Sequence, residues 1–400
     1  MKTHSNIAFK AMALALCAVS QLAFIAPAYA DFSGWVRSFR NVALDSGIKG
    51  ATYDRAFANV TDPDPVVLEK ARFQPEFKDS NWNYFDNRVN DGSILEGRQN
   101  AADYAKTLNA VEKRFGVSSE ILLAIWSMET NYGRIMENME VMRPVVRSLA
   151  TLAYADKKRA KYARSQLIAA LKILQSGDIT MDNLMGSWAG AMGHTQFIPT
   201  SYIAYRADMD GNGDADIWGS VPDALATAAN LLKKNGWQTG QTWGYEVALP
   251  AGKLPGGKMS LGKWAALGVT RANGKAFPRA GDIAELKVPD GRGGPAFLIL
   301  KNFNVIKRYN NSEKYAFAVG LLADAIGGGQ LVGDWKRPFT KLSFEQKIEL
   351  QKRLASRGVY DGEFDGKIGS GTRKAIITWQ ASAGLEQDGH PSLEVLKTLQ

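Results

Sequence analysis

The chain has 400 residues, 49 Lys and Arg against 40 Asp and Glu, a formal charge of +9 and 45% hydrophobic content. This length and apolar share support more than one packed core and exclude a disordered chain, and the basic balance suits an anionic partner. The single cysteine, Cys17, excludes a disulfide framework and a thiolate metal site.

In chain order, residues 1–30 carry Lys2 and Lys10, an apolar run Ala11–Ile25 and an Ala28-Tyr29-Ala30 end. That pattern predicts a secretory signal with a small-x-small cleavage site, hence a soluble mature chain from Asp31. Leu14-Ala15-Leu16-Cys17 is a poor lipoprotein box, because Leu16 stands where a small residue is wanted, so lipid anchoring is not expected. Loss of Lys2 and Lys10 lowers the charge from +9 to +7. Behind such a leader the anionic partner is not nucleic acid, which leaves the polyanions of a bacterial envelope. Ordinary solubilising charge is the competing account.

Residues 31–329 read as mainly helical, with apolar positions three and four apart in Ala101–Phe115, Glu120–Glu129 and Ala224–Asn235. The segment 118–133 predicts a helix with Ser118 as N-cap, Glu120 in the first turn and Gly133 just past the end. Ile121, Ile125 and Glu129 then fall at i, i+4 and i+8, so this carboxylate lies on the apolar stripe. Desolvation and the negative end of the helix both penalise its ionised form, which is the setting a general acid needs. A glutamate at a frayed helix end, turned to solvent, is the other reading of the same pattern.

From Leu184 to Ala207 there is no acidic residue. The small residues of 186–193 allow close backbone approach, and Trp188, Met192, Phe197 and Tyr202 offer apolar surface that suits a sugar face. Tight helix packing explains the same composition. Next, Asp208, Asp210, Asn212 and Asp216 occupy positions one, three, five and nine of an EF-hand-like loop with Gly213 at six. Position twelve is Gly219, not the usual bidentate Glu. The expected ion is Ca²⁺ in a structural role, against a solvated Asp/Gly turn as the alternative. Beyond the signal only His194 and His390 remain, which excludes other metal sites and a Ser/His triad.

The stretch 238–295 is rich in Gly and Pro, with short runs Tyr245–Leu249 and Ile283–Val288, and predicts a small strand-bearing insertion. Helical text resumes until Gly327-Gly328-Gly329; residues 330–341 read as a linker and 342–400 as a separate small unit. In that unit helices are expected over Phe344–Leu354, Thr372–Gln380 and around Leu393–Leu399, with Asp-Gly turns between them.

Glu129-Thr130-Asn131-Tyr132-Gly133, followed by Ser187-Trp188-Ala189-Gly190-Ala191-Met192-Gly193 and Gln196-Phe197-Ile198-Pro199-Thr200-Ser201-Tyr202, resembles the membrane-bound lytic murein transglycosylase B family. The likeness continues through residues 302–316 and covers nearly all of 31–324. It implies a mainly α, α+β architecture: a lysozyme-like helical catalytic domain with the strand-bearing insertion. The implied activity is periplasmic cleavage of the β-1,4 bond between N-acetylmuramic acid and N-acetylglucosamine in peptidoglycan. Glu129 matches the single catalytic acid. Ser187, Met192, Gln196, Tyr309, Asn310 and Tyr315 match the sugar cleft, whereas Leu231 stands where a relative has a tyrosine. The same resemblance implies that Asp223 closes the cation loop formed by Asp208, Asp210, Asn212 and, through its carbonyl, Asp214. The C-terminal unit resembles the three-helix type 1 peptidoglycan-binding module.

Neither catalytic segment supplies the second carboxylate of ordinary glycosidases, so Glu129 is expected to serve first as acid and then as base, with no cofactor in the chemistry. The product would be a 1,6-anhydromuramoyl end. A muramidase that adds water, and a non-catalytic wall-binding scaffold, are the rival readings.

Overall fold

The structure, a computed structural model, describes residues 31–72, 80–291 and 293–399; the signal segment and Cys17 lie outside them. Among the described residues, seven helices precede the cleft segments: α1 (Phe32–Asp45), α2 (Gly50–Phe57), α3 (Pro65–Arg72), α4 (Asn81–Arg88), α5 (Asp91–Asp103), α6 (Ala105–Phe115) and α7 (Ser119–Thr130). Then come α8 (Val145–Ala155), α9 (Ala160–Ser176), α10 (Pro199–Tyr205) and α11 (Val221–Lys234). The insertion holds β1 (Gly244–Ala248), β2 (Lys258–Ser260), α12 (Leu261–Ala266), β3 (Thr270–Arg271), β4 (Ile283–Lys287) and β5 (Ala296–Ile299). The chain finishes with α13 (Lys301–Tyr309), α14 (Glu313–Ile326), α15 (Phe344–Ser356), α16 (Ser370–Ser382) and α17 (Leu393–Thr398).

The helical stretch expected over Ala101–Phe115 is broken at Tyr104, where φ −103° and ψ 18° end α5 and start α6. The chain divides into two compact units, one of residues up to 74, 143–184 and 188–190, the other of 75–142, 185–187 and 191–400.

In the first unit α8 packs along α9, and Val67, Leu152, Ala153 and Ala163 form a core. Trp35 stacks on Phe32 and Phe39 with centroids 6.0 and 5.0 Å apart, and Tyr154 meets Phe32 edge-on. Asp64 is fully buried, yet Arg143 Nε donates to it at 2.5 Å and the Val66 N–H at 3.0 Å. A buried carboxylate so paired is tolerated; removal of Arg143 alone would leave its charge uncompensated.

The second unit is built around α7 and α14, which pack together. Ile121 to Trp126 are all buried, as are Tyr315 to Ala323, so both helices are apolar on every side and must sit centrally. Gly320 permits this: a Cβ there would collide with the Trp243 ring. The insertion is a five-stranded antiparallel sheet in the order β2-β4-β5-β1-β3. Its pairing sets Gly244 against Ile299 and Glu285 against Ile299 from the other side. The expected runs become β1 and β4, but the central strand β5 lies just beyond the expected boundary at 295. Buried Asn302 ties the neck of the insertion by accepting from the Gln238 N–H and donating to the Gln238 and Gln241 carbonyls.

α15, α16 and α17 close on Leu350, Leu354, Ala375, Ile376, Val395 and Leu396. Two buried glutamines repeat one device. Gln351 accepts from the Gly366 N–H and donates to Asp365, and Gln380 accepts from the Gly389 N–H and donates to Asp388. Each Asp-Gly turn is thus fixed to a helix. Before α15 the chain has no regular structure, but it is packed: Trp335 stacks on Phe85 at 4.3 Å, and Arg337 makes paired bonds to Asp86. Lys347 reaches Asp91 at 3.3 Å, and the Lys367 chain lies where a Cβ on Gly92 would be.

Candidate active site

Glu129 sits in the last turn of α7, beyond the buried run from Ile121 to Trp126. Ser118 takes the N-cap position without a side-chain bond, and Glu112 instead accepts from the Ser119 N–H and hydroxyl. The helix ends at Asn131, two residues before the expected glycine. Asn131, Tyr132 and Gly133 follow one another with φ of 50°, 56° and 92°, a left-handed run that costs a non-glycine residue about 1–3 kcal/mol. The turn is braced, since Tyr132 Oη donates to the Ser93 carbonyl at 2.8 Å and its ring packs edge-on against Trp126.

Protein atoms crowd the Glu129 carboxyl, although the residue keeps a partial opening to solvent. Burial raises its pKa to about 7; the Tyr315 hydroxyl and the positive charge of Arg88 pull the other way. Tyr315 Oη donates to Glu129 Oε1 at 2.6 Å. Tyr315 is placed by its position in the first turn of α14, where the Ser312 hydroxyl caps its N–H at 3.3 Å. Burial raises the Tyr315 and Tyr309 hydroxyls well above their ordinary values, and the Glu129 charge adds to this. Both therefore remain donors. The two rings lie parallel, 6.4 Å apart and 6° from coplanar, and Tyr309 Oη donates to the Thr195 carbonyl at 2.5 Å.

Thr195 and Phe197 of the loop 187–197 meet this pair, Thr195 through its carbonyl and Phe197 edge-on to the Tyr309 ring. Ser187 Oγ accepts from the Ala191 N–H at 3.1 Å, and Met192 and Phe197 exchange two backbone bonds of 2.9 Å. Gln196 has φ 49°, and its side chain donates to the Gly193 carbonyl. Ser187 and Gln196 are partly exposed and Asn310 is exposed. Of the four apolar side chains expected to face a sugar, Trp188 is half-buried, while Met192, Phe197 and Tyr202 are 0%, 3% and 0% exposed and turned inward. The small residues close the loop on itself and bury those side chains beneath it. Leu231 is likewise buried, within α11.

Arg88, at the end of α4 with its guanidinium over the Tyr84 ring, was invisible in the sequence pattern because α4 holds no motif. Among the described residues, no carboxylate is one of the groups that shift the Glu129 pKa.

In the Asp-rich loop, Asp208, Asp210 and Asp223 bring one oxygen each within 4.8 Å of the others. Asp223 is fully buried, and burial followed by Asp210 raises its pKa. Asp208 accepts from the Gly211 and Gly213 N–H groups, Asp210 from Asn212, and Asn212 from Asp214, so the turn is wound with its side-chain oxygens inward. Three hard oxygens so placed fit a divalent cation such as Ca²⁺. The Asp214 carboxyl is outside this trio. A separate groove of about 1520 Å³, lined by Trp82, Trp237, Asp324 and Phe344 among others, does not include Glu129.

The sequence pattern of the transglycosylase SLT domain matches residues 31–324, and that of a putative peptidoglycan binding domain matches 345–399. Membrane-bound lytic murein transglycosylase B of Escherichia coli (strain K12) is 34% identical over 226 residues, which is 56% of this chain and 61% of that protein. The chain thus spans about three fifths of this relative's length. The crystal structure of SltB3 from Pseudomonas aeruginosa in complex with NAG-NAM-pentapeptide superposes with a TM-score of 0.73 at 47% identity, covering 92% of this chain and 99% of that one. The Escherichia coli lytic transglycosylase Slt35 in complex with calcium gives 0.61 at 27% identity, over 75% and 93%.

Proposed function

As the chain belongs to the transglycosylase SLT domain family, we propose that it is a lytic transglycosylase of peptidoglycan. It cuts the β-1,4 bond between N-acetylmuramic acid and N-acetylglucosamine. The observation that carries this reading is a carboxyl whose pKa is raised to about 7, hydrogen-bonded by one tyrosine and, among the described residues, with no second acid shifting it. A glycosidase that delivers water needs two carboxylates; a transglycosylase needs one that works twice.

In the first step Glu129 gives its proton to the glycosidic oxygen, the C1–O bond breaks, and the N-acetylglucosamine end leaves with a free 4-hydroxyl. The positive charge at C1 is taken up by the muramic acid N-acetyl group, held by Ser187 or Asn310. In the second step the Glu129 carboxylate accepts the proton of the 6-hydroxyl as that oxygen bonds to C1. The 1,6-anhydro ring closes and the acid is regenerated. Tyr315, kept protonated by burial, steadies the carboxylate between the steps. Gln196 and Tyr309 shape the cleft, while Met192 packs beneath the loop without facing the sugar.

Asp208, Asp210, Asn212, Asp223 and the Asp214 carbonyl hold Ca²⁺ as a brace; the ion supplies no chemistry at Glu129. Residues 342–400, after the connecting segment 330–341, bind the wall. The site of action is the periplasm, reached through the signal at residues 1–30. Mass spectrometry of muropeptides released from purified wall tests the reaction: anhydro products are expected, and products heavier by one water would make it a muramidase. Glu129→Gln should abolish release while the protein still sediments with wall; retained release would overturn the assignment of the acid.

A further inference from the structure

Thr130 follows the acid in sequence and is fully buried. Its hydroxyl donates to the His194 carbonyl at 2.7 Å and accepts from the Gly133 N–H at 3.0 Å. One bond therefore closes the left-handed turn after the acid, and the other ties that turn to the cleft loop. One turn earlier on the same face of α7, Trp126 Nε1 donates to His194 Nδ1 at 3.2 Å. Two residues of α7 thus grip one residue of the loop. The fit is close on both sides: a Cβ on Gly133 would strike the His194 ring, and one on Gly193 would strike the Ile217 carbonyl.

The path continues from His194 to Thr195, whose carbonyl receives the Tyr309 hydroxyl. Tyr309 lies parallel to Tyr315, and Tyr315 donates to Glu129. The contacts run in a closed circuit from Glu129 through Tyr315, Tyr309, Thr195 and His194 to Thr130, which adjoins Glu129. Such a circuit fixes the carboxyl from two sides, by its own hydrogen bond and by the backbone that carries it.

We propose that Thr130 is a positioning residue for the reaction, and that its hydroxyl, bridging Gly133 and His194, holds the strained turn that aims Glu129 at the scissile oxygen. Without the bridge, residues 131 and 132 can relax from positive φ, and the last turn of α7 moves with them. A carboxyl displaced by an ångström loses rate far more than binding, since proton transfer depends steeply on geometry and glycan contacts are spread along the cleft. A freed carboxyl also gains water, so its acid form is less favoured. The inference rests on Glu129 as the acid, and its test is separable from that assignment.

Thr130→Val removes the hydroxyl at nearly constant volume, Thr130→Ser keeps it, and Trp126→Phe removes the second grip together with part of the ring packed on Tyr132. On soluble glycan oligomers, Thr130→Val should lower kcat by about 10- to 100-fold with KM within about twofold, and move the alkaline limb of the pH profile to lower pH. Thr130→Ser should restore both kcat and the limb, and Trp126→Phe should shift them the same way by less. Equal kcat in Thr130→Val and the parent would overturn the proposal, as would a loss in which KM rises as much as kcat falls. If Thr130→Val does not fold by circular dichroism, an unshifted limb in Trp126→Phe overturns it. Glu129→Gln, assayed beside these variants, stays inactive whichever way they fall, and activity in it would sink the acid assignment instead.

Discussion

In the proposed mechanism Glu129 must be protonated to begin the reaction, and burial raises its pKa toward neutral pH. With its pKa raised to about 7, the competent fraction is nearly complete at pH 5 and falls as pH rises through 7. Activity should therefore decline on the alkaline side with a midpoint near 7, read from kcat/KM on glycan oligomers. Arg88 favours the carboxylate, so Arg88→Ala should raise that pKa and move the decline to higher pH. Exposure screens this cation, so a small shift is expected. A shift to lower pH would mean that Arg88 acts otherwise than through its charge. Glu129 itself was legible in the sequence because its place on the apolar stripe is a local property. Arg88 was not, since its influence depends on how α4 packs and not on the spacing along it.

At the scale of elements, α7 and α14 form the frame on which the acid and its tyrosine are mounted. Gly320 is the point where that frame admits the insertion's Trp243, and Asp324 on the same helix accepts from Trp243 Nε1 at 3.1 Å. Gly320→Ala should lower stability by about 1–3 kcal/mol, because the added methyl overlaps a ring that has no room to retreat. Thermal melting checks it: an unchanged Tm would show that the ring can move. Strands β1 and β4 were readable as apolar runs, whereas β2 and β3, at three and two residues, are too short to leave a pattern. The loop 187–197 shows the opposite case. Its glycines, Met192 and Phe197 suggested an open sugar face, but the same small residues allow the backbone to pair Met192 with Phe197 and shut those side chains in. Composition cannot distinguish these outcomes, because the deciding bonds are between backbone groups.

For the molecule as a whole, the Asp-rich loop and the C-terminal helices both depend on long-range closure. Asp223 lies fifteen residues after Asp208 but completes the same oxygen trio. With calcium bound, the repulsion among Asp208, Asp210 and Asp223 becomes attraction to a common ion, so chelation with EGTA should lower the Tm and added Ca²⁺ should restore it. A melting curve indifferent to both would reject the site. The stretch before α15 read as a linker because it has no periodicity. Its Trp335 and Arg337 are nevertheless 4% exposed in residue and side chain respectively, packed on Phe85 and Asp86 some 250 residues earlier. Such partners leave no trace in the local sequence.

That packing changes what the C-terminal helices can do. A wall-binding unit on a loose cord would hold the acid within a sphere of reach and let it graze on any strand inside. Here Arg337 on Asp86, Trp335 on Phe85, Lys347 on Asp91 and the Lys367 chain over Gly92 make the connection a bracket. The C-terminal helices and the helix that carries Glu129 then belong to one compact unit, and the segment between them is a strut and not a tether.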